Sequence, residues 1–177
     1  MKAASDEELI EKIKVGDTVA FKSIVSRYEG RVARVVLFII GAVPIAEDIG
    51  QEVFVRFYDS VSKFRSNSSV NTFLIRQAIE LSIAERKKNK RSAIRSITPE
   101  IAKDKSKHPE LLDLREKIRR EFLGLDPELQ SIVTLRLVAD YSIEVMAEIL
   151  RIPESSVLNK LIQAQHKIRI GLYKKLE

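Results

Sequence analysis

Apolar residues recur at helical spacing over most of this 177-residue chain, which predicts a series of amphipathic helices. An N-terminal helix ends at Gly16, and Asp17 begins a longer helix that Gly41 ends. The β-branched run VVLFII (35–40) could form a short strand, but it continues the helical period of the residues before it. We therefore predict that it is helical.

The stretch from 47 to 91 combines two such helices with a block of positive charge. The first keeps its apolar period to Phe64, a polar break rich in serine and asparagine covers 65–71, and the second helix starts near Thr72. The second helix ends in a cluster of basic residues, which on charge alone indicates either a solvated linker or a site for a polyanionic partner such as nucleic acid. The basic residues are Arg86, Lys87, Lys88, Lys90 and Arg91.

The second half of the chain regains helical spacing after residues 92–112, where the period is lost. Asp126 caps a helix with Pro127 in its first turn, and Ser142 caps a short helix. A tight turn at 151–153 separates that short helix from a longer one, which is a helix-turn-helix pattern. An ordinary helical hairpin would give the same pattern, so both interpretations stay open on these residues alone.

These patterns predict an all-α fold of two small helical domains joined by a flexible linker, with the helix-turn-helix in the C-terminal domain. The predicted domains are 1–91 and 113–177, and the linker is 92–112.

Composition narrows the function classes. The net charge of +6 is concentrated in residues 85–110, which carry nine Lys and Arg against four Asp and Glu. The chain has no cysteine, which excludes disulfides and zinc–thiolate sites and fits a reducing compartment, so we expect a cytoplasmic protein. Its apolar runs are too short to span a bilayer, so no membrane insertion is expected. No catalytic constellation, metal site or cofactor motif is evident, so we expect a protein that is not an enzyme.

Both halves resemble one family. The segment AEDIGQEVFVRFYD (46–59) resembles the second conserved region of sigma-70 family RNA polymerase sigma factors of the extracytoplasmic-function (ECF) group. GDTVAF (16–21) is similar to that group's GD-x-x-AF, and residues 125–169 resemble its fourth conserved region. The resemblance covers nearly the whole chain and implies a sigma factor that binds core RNA polymerase and directs promoter recognition and initiation.

The resemblance implies three groups of site residues. The polymerase-binding residues are Asp48, Gln51, Glu52, Val55, Arg56 and Asp59. The residues for the minus-ten promoter element are Asn67, Ser68, Asn71, Arg76, Arg86, Lys87, Lys90 and Arg91. The helix-turn-helix residues for the minus-thirty-five element are Ser155, Ser156, Asn159, Lys160, Gln163 and Lys167. Phe73, where the group usually has tryptophan, is interpreted as a core residue.

Two departures from the family pattern affect the second domain. Arg151 replaces the glycine of the turn, which predicts an altered turn because a left-handed conformation costs a non-glycine residue roughly 1 kcal/mol. The second helix of the helix-turn-helix has Leu158, Gln163 and Gln165 where the family commonly has basic residues.

The expected partners are core polymerase, promoter DNA and an anti-sigma factor. The alternative is a degenerate sigma-like regulator that acts mainly by protein binding and binds DNA weakly.

Overall fold

The computed structural model describes residues 4–41, 43–64, 69–92 and 109–173, and within these ranges the regular elements are all helices. The side chains of 89–92, 109–113 and 115 are outside this description. The chain divides into two compact units, Met1–Ile97 and Thr98–Glu177. The all-α fold predicted from the apolar period is confirmed. No helix in the described ranges is long and apolar enough to cross a membrane.

Unit 1 is organised around α2, which packs against the other three α-helices that the structure describes in this unit. The helices α3 and α4 also pack against each other, so Ile24 of α2, Phe57 of α3 and Leu74 of α4 are almost fully buried. The helices are α1 (Asp6–Lys14), α2 (Thr18–Ile40), α3 (Ile45–Ser60) and α4 (Val70–Ser92), with a 3-10 helix at Val61–Lys63 between the last two.

Local capping fixes the ends of α1 and α2. Ser5 and Glu8 form a reciprocal capping box, in which the Glu8 backbone N–H donates to the Ser5 hydroxyl at 3.2 Å. The Asp17 carboxylate accepts from two backbone N–H groups at the start of α2. Gly41 ends α2 at φ +94°, a conformation that an L side chain rarely adopts. The run VVLFII therefore lies inside α2, as predicted.

An aromatic cluster closes the end of unit 1 near the start of α4. Phe73 makes edge-on contacts with Phe57 and Phe64, with ring centroids 6.0 and 5.6 Å apart. These contacts agree with the interpretation of Phe73 as a core residue, although it remains half-buried. The α4 helix starts at Val70, two residues before the predicted start near Thr72, and a Ser69 hydroxyl accepts from the Thr72 N–H at its first turn.

Unit 2 is organised around its last helix, α8, which packs against α5, α6 and α7. Ile132, Met146, Val157 and Ala164 are almost fully buried and form the centre of its core. The helices are α5 (Pro109–Gly124), α6 (Pro127–Leu137), α7 (Ile143–Leu150) and α8 (Glu154–Tyr173). The α5 helix begins inside the segment predicted as linker, and residues 93–108 of that linker lie outside the described residues.

A buried amide joins α5 to α6. The Gln130 side-chain amide donates to the backbone carbonyls of Phe122, Leu123 and Leu125, at 3.3, 3.2 and 2.8 Å. These carbonyls lie at and just after the end of α5, where no following turn of helix supplies backbone N–H donors. Since Gln130 is only 4% exposed, its two N–H groups replace water for carbonyls that would otherwise be poorly satisfied.

The turn between α7 and α8 keeps a left-handed residue despite the substitution of its glycine. Arg151 has φ 56° and ψ 43°, and the Ile152 N–H donates to the Ala147 carbonyl at 3.1 Å. The Arg151 N–H also donates to the Glu148 carbonyl at 3.3 Å, and the two bonds together form a Schellman motif. The expectation of an altered turn is therefore wrong, because these bonds hold Arg151 in a conformation that costs about 1 kcal/mol.

Candidate functional site

The first candidate surface is the solvent face of α3. Ile49, Val53 and Phe57 face the core of unit 1, and the opposite side of the helix is exposed. That side carries all six residues predicted to bind polymerase, including Val55, which is 51% exposed. All six are exposed, and their binding role remains a prediction. The exposed residues of this face are Glu47, Asp48, Gln51, Glu52, Val55, Arg56, Tyr58 and Asp59.

Polar contacts fix one edge of this face to α4. The Arg56 guanidinium is 2.9 Å from the Glu52 carboxylate and donates to the Gln77 side-chain oxygen at 3.4 Å. The Gln77 amide in turn donates to Glu80, whose carboxylate lies 3.9 Å from the Arg76 guanidinium. Arg56 and Arg76 are therefore oriented by acidic neighbours within unit 1. A binding partner can replace these contacts at little cost, since an exposed ion pair stabilises a protein by only about 0–1 kcal/mol.

An apolar groove of about 600 Å³ lies between α2 and α3, next to the α3 face. Val32 and Phe54 contribute apolar surface to it, and both are at most 8% exposed. Glu29 and Glu47 line it with carboxylates, and Gln51 belongs both to this lining and to the predicted polymerase-binding set. A ligand in the groove would therefore cover part of the α3 face.

Of the residues predicted for the minus-ten element, those from Asn71 onward lie along α4. Asn71 accepts a hydrogen bond from the Arg31 guanidinium of α2 at 2.8 Å, which the sequence did not indicate. Asn67 and Ser68 lie outside the described residues, as do the side chains of Lys90 and Arg91. The backbone is helical to Ser92, so the basic block belongs to the end of α4 rather than to a loop.

The helix-turn-helix presents a polar and apolar face rather than a basic one. Of the residues predicted for the minus-thirty-five element, Ser155, Asn159 and Gln163 are exposed on α8, and Ser156 is half-buried. Leu158 and Ile162 lie among them and are 45% and 63% exposed.

Both predicted lysines of α8 are paired with acidic residues at the start of α6, the N-cap residue Asp126 and Glu128. The Lys160 ammonium lies 2.6 Å from the Glu128 carboxylate, and the Lys167 ammonium lies 3.2 Å from that of Asp126. Asp126 also caps α6. Desolvation raises the pKa of its carboxyl, but the hydrogen bonds from Leu129 and Lys167 together with the charge of Lys167 outweigh this effect and hold the pKa below its usual value. The sequence did not indicate either ion pair, since 32 and 41 positions separate the paired residues.

Metal binding finds no support in the described ranges, where no cluster of three or more His, Cys, Asp or Glu side chains is arranged to hold an ion.

Comparison with known proteins identifies the relatives of the chain. Residues 24–92 match the family model described as sigma-70 region 2. The chain is 30% identical to the ECF RNA polymerase sigma-E factor of Escherichia coli (strain K12), over 93% of the chain and 92% of that protein. It is 25% identical to the ECF RNA polymerase sigma factor SigW of Bacillus subtilis (strain 168), over 90% and 92%.

Solved structures agree on the fold. CnrH, in complex with the cytosolic domain of CnrY, matches with a TM-score of 0.69 at 16% identity, over 96% of this chain and 97% of CnrH. The sigma factor RpoE of Bartonella quintana, in complex with the anti-sigma factor NepR, matches with a TM-score of 0.64 at 15% identity, over 86% and 96%. The similarity extends over both units of the chain.

Proposed function

Since this chain belongs to the ECF group of sigma-70 family sigma factors, it directs promoter recognition and transcription initiation, and we propose that its two units divide that task. The main support for this proposal is the 30% identity to a sigma-E factor over 93% of the chain, because that length includes both units. None of these findings favours the alternative of a degenerate regulator. Catalysis belongs to core polymerase in this proposal, and the chain acts with it in the cytoplasm.

The solvent face of α3 binds core polymerase in this proposal. Its buried side packs against α2 and α4, so the exposed side, which is mainly polar, is available to a partner. Asp48, Gln51, Glu52 and Asp59 supply hydrogen-bonding groups, and Val55 supplies an apolar centre. A polar rim around an apolar centre is the usual arrangement of a protein interface.

The experiment changes the polar residues of this face without changing the fold. Asp48→Ala with Gln51→Ala removes two exposed side chains from α3, and alanine favours the helix. We expect at least tenfold weaker binding to purified core polymerase, measured by competition for a labelled sigma factor, with unchanged helicity. Lys22→Ala with Ser26→Ala on the exposed side of α2 is the matched control and should bind normally. Unchanged affinity of the α3 variant would remove this face from the polymerase interface.

The end of α4 contacts the melted minus-ten region in this proposal. The basic block continues a helix that is anchored in the core of unit 1 through Leu74, Ala78 and Ile83. This anchoring gives Arg86 and Lys87 defined positions, from which cations can neutralise phosphates and release counterions. Asn71, held by Arg31 at the start of the same helix, is a proposed base-reading group, together with Asn67 and Ser68, which precede this helix in the sequence.

The helix-turn-helix of unit 2 contacts the minus-thirty-five region in this proposal. A short helix, a left-handed turn and a 20-residue helix give the arrangement in which a second helix enters the major groove. The N-terminal part of α8 would face the bases through Ser155, Ser156, Asn159 and Gln163. Lys160 and Lys167 must exchange their carboxylate partners, Glu128 and Asp126, for phosphates when they bind DNA.

An anti-sigma factor is a further proposed partner, and the groove between α2 and α3 supports it. The groove is apolar and bears Glu29 and Glu47, so it suits an apolar segment flanked by positive charge. Because Gln51 lines it, such a segment would compete with polymerase for the α3 face. Co-purification from the native cell tests this proposal: a co-purifying inhibitor should be displaced by excess core polymerase. An inhibitor that stays bound while polymerase is engaged would contradict binding at this groove.

A further inference from the structure

The exposed face of α8 contains apolar side chains where a DNA-reading helix usually has cations. In its first three turns the side chains turned away from Val157 and Ala164, the buried residues, include Leu158, Asn159 and Ile162. Ile162 is 63% exposed and Leu158 is 45% exposed. Lys160 points along the flank toward α6, where the Glu128 carboxylate is 2.6 Å from its ammonium.

Each base pair has a characteristic chemistry in the major groove, which limits what this face can read. Guanine is read chiefly by Arg or Lys, adenine by Asn or Gln, and thymine by apolar contact with its C5-methyl group. The face carries Asn159 and Gln163 for adenine and Leu158 and Ile162 for thymine. The exposed residues of these turns include no Arg or Lys, so they lack the usual partner of guanine. Glu154, at the first position of α8, can accept from one cytosine amino group at the outer end of the site.

We propose that Leu158 and Ile162 are specificity-determining residues that contact thymine methyl groups, so that unit 2 reads an A·T-rich segment of the major groove. This inference rests on the proposed binding of the helix-turn-helix to the minus-thirty-five region. It accounts for two exposed apolar side chains one helical turn apart. Contact with water is unfavourable for apolar surface, so burying these side chains against DNA would be favourable. It also assigns Asn159, which lies between them on the helix, to an adjacent adenine.

The first test selects DNA with the holoenzyme formed from core polymerase and the full chain. Promoter duplexes carry a randomised upstream segment and a fixed downstream minus-ten segment that supports transcription. We expect A·T pairs to be enriched at the inner positions of the upstream segment. Enrichment of G·C pairs at those positions would overturn the inference.

The second test removes single thymine methyl groups. Replacing one contacted thymine of the selected duplex by deoxyuridine deletes the methyl group and keeps the base pair. We expect about fourfold weaker holoenzyme binding, the value of one buried carbon group. Ile162→Ala should cause a similar loss on the thymine duplex and should be insensitive to deoxyuridine at one position. Leu158→Ala should behave in the same way at a different position.

Two controls separate the outcomes. Ile170→Ala removes another partly exposed isoleucine from α8, beyond the turns that read bases, and should retain full sensitivity to the methyl group. If Ile162→Ala leaves DNA selection and methyl sensitivity unchanged, the apolar face serves a protein partner and the inference is wrong. Transcription that ignores the upstream methyl groups contradicts this inference alone, whereas absence of transcription from every template contradicts the sigma-factor function as well.

Discussion

The ion pair between Lys160 and Glu128 should weaken the binding of unit 2 to DNA, because it competes with the binding of Lys160 to a phosphate. The two charged atoms are 2.6 Å apart, and the side chains are 26% and 55% exposed. In the dielectric of water their Coulomb energy is roughly 1.6 kcal/mol, and exposed pairs of this kind contribute about 0.2–1 kcal/mol after entropy and solvation. Lys160 must give up this energy before it can neutralise a phosphate.

Glu128→Gln removes the competing charge and keeps the shape of the side chain. We expect the variant holoenzyme to bind promoter duplex about 1.4- to 5-fold more tightly, which is the pair energy expressed as an equilibrium constant. A lysine released to bind one phosphate should also steepen the slope of log affinity against log salt by about 0.9. Fluorescence anisotropy over a salt series measures both quantities.

Two variants control this experiment. Glu148→Gln removes an exposed acid from α7, where no lysine pair is present among the described contacts, and should change the slope little. Glu128→Gln with Lys160→Gln should lose the gain of the single variant. Equal affinity and equal slope for wild type and Glu128→Gln would refute the argument that the ion pair opposes DNA binding.

Three further predictions concern the stability of unit 2. Arg151→Gly should raise the free energy of unfolding by up to about 1 kcal/mol in urea titration, because glycine adopts the left-handed turn without strain, and a lower midpoint would contradict this. Gln130→Leu should lower it by about 1–3 kcal/mol, since buried carbonyls lose their donor, whereas Gln163→Leu on the exposed face should not. Asp126 has a lowered pKa in the folded state, so its contribution to stability is present above the ordinary value near 3.8 and is lost as pH falls below it. In Asp126→Asn the free energy of unfolding should therefore depend less on pH in that range. An unchanged pH dependence would count against this assignment.

Sequence reasoning located the helices where the determinants are local. Asp17, Asp126 and Ser142 begin α2, α6 and α7 because each side chain accepts from backbone N–H groups two or three residues away. The period of the apolar residues was equally informative for α3, whose exposed and buried sides follow it closely. Both signals act over a few residues and can be read without knowledge of the tertiary structure.

Features that depend on packing were not predictable. Pairing of Lys160 with Glu128 requires the register of α8 on α6, which no local pattern specifies. Of the apolar residues that give α5 its period, Phe122 is buried but Leu114 and Ile118 remain 46% and 40% exposed. Arg151 was expected to alter its turn because the cost of the left-handed conformation is visible in the sequence, whereas the two hydrogen bonds that offset it are not.

The polymerase-binding and base-reading residues could be assigned only through the resemblance to sigma factors, because polar residues on an exposed helix face do not identify their partner. The structure adds the local contacts that a partner must replace. Arg56 is held by Glu52 and Gln77, and Asn71 by Arg31, so these side chains are oriented within unit 1.

The most direct test of the account is transcription in vitro by purified core polymerase with and without this protein, over a library of promoter fragments. Sequencing the transcripts gives their 5′ ends and the DNA upstream of each. We predict discrete start sites that require the protein and share a common minus-ten sequence, and Asp48→Ala with Gln51→Ala should reduce them at limiting protein. Transcripts that are the same with and without the protein, although it binds core polymerase, would contradict the assignment as an initiating sigma factor.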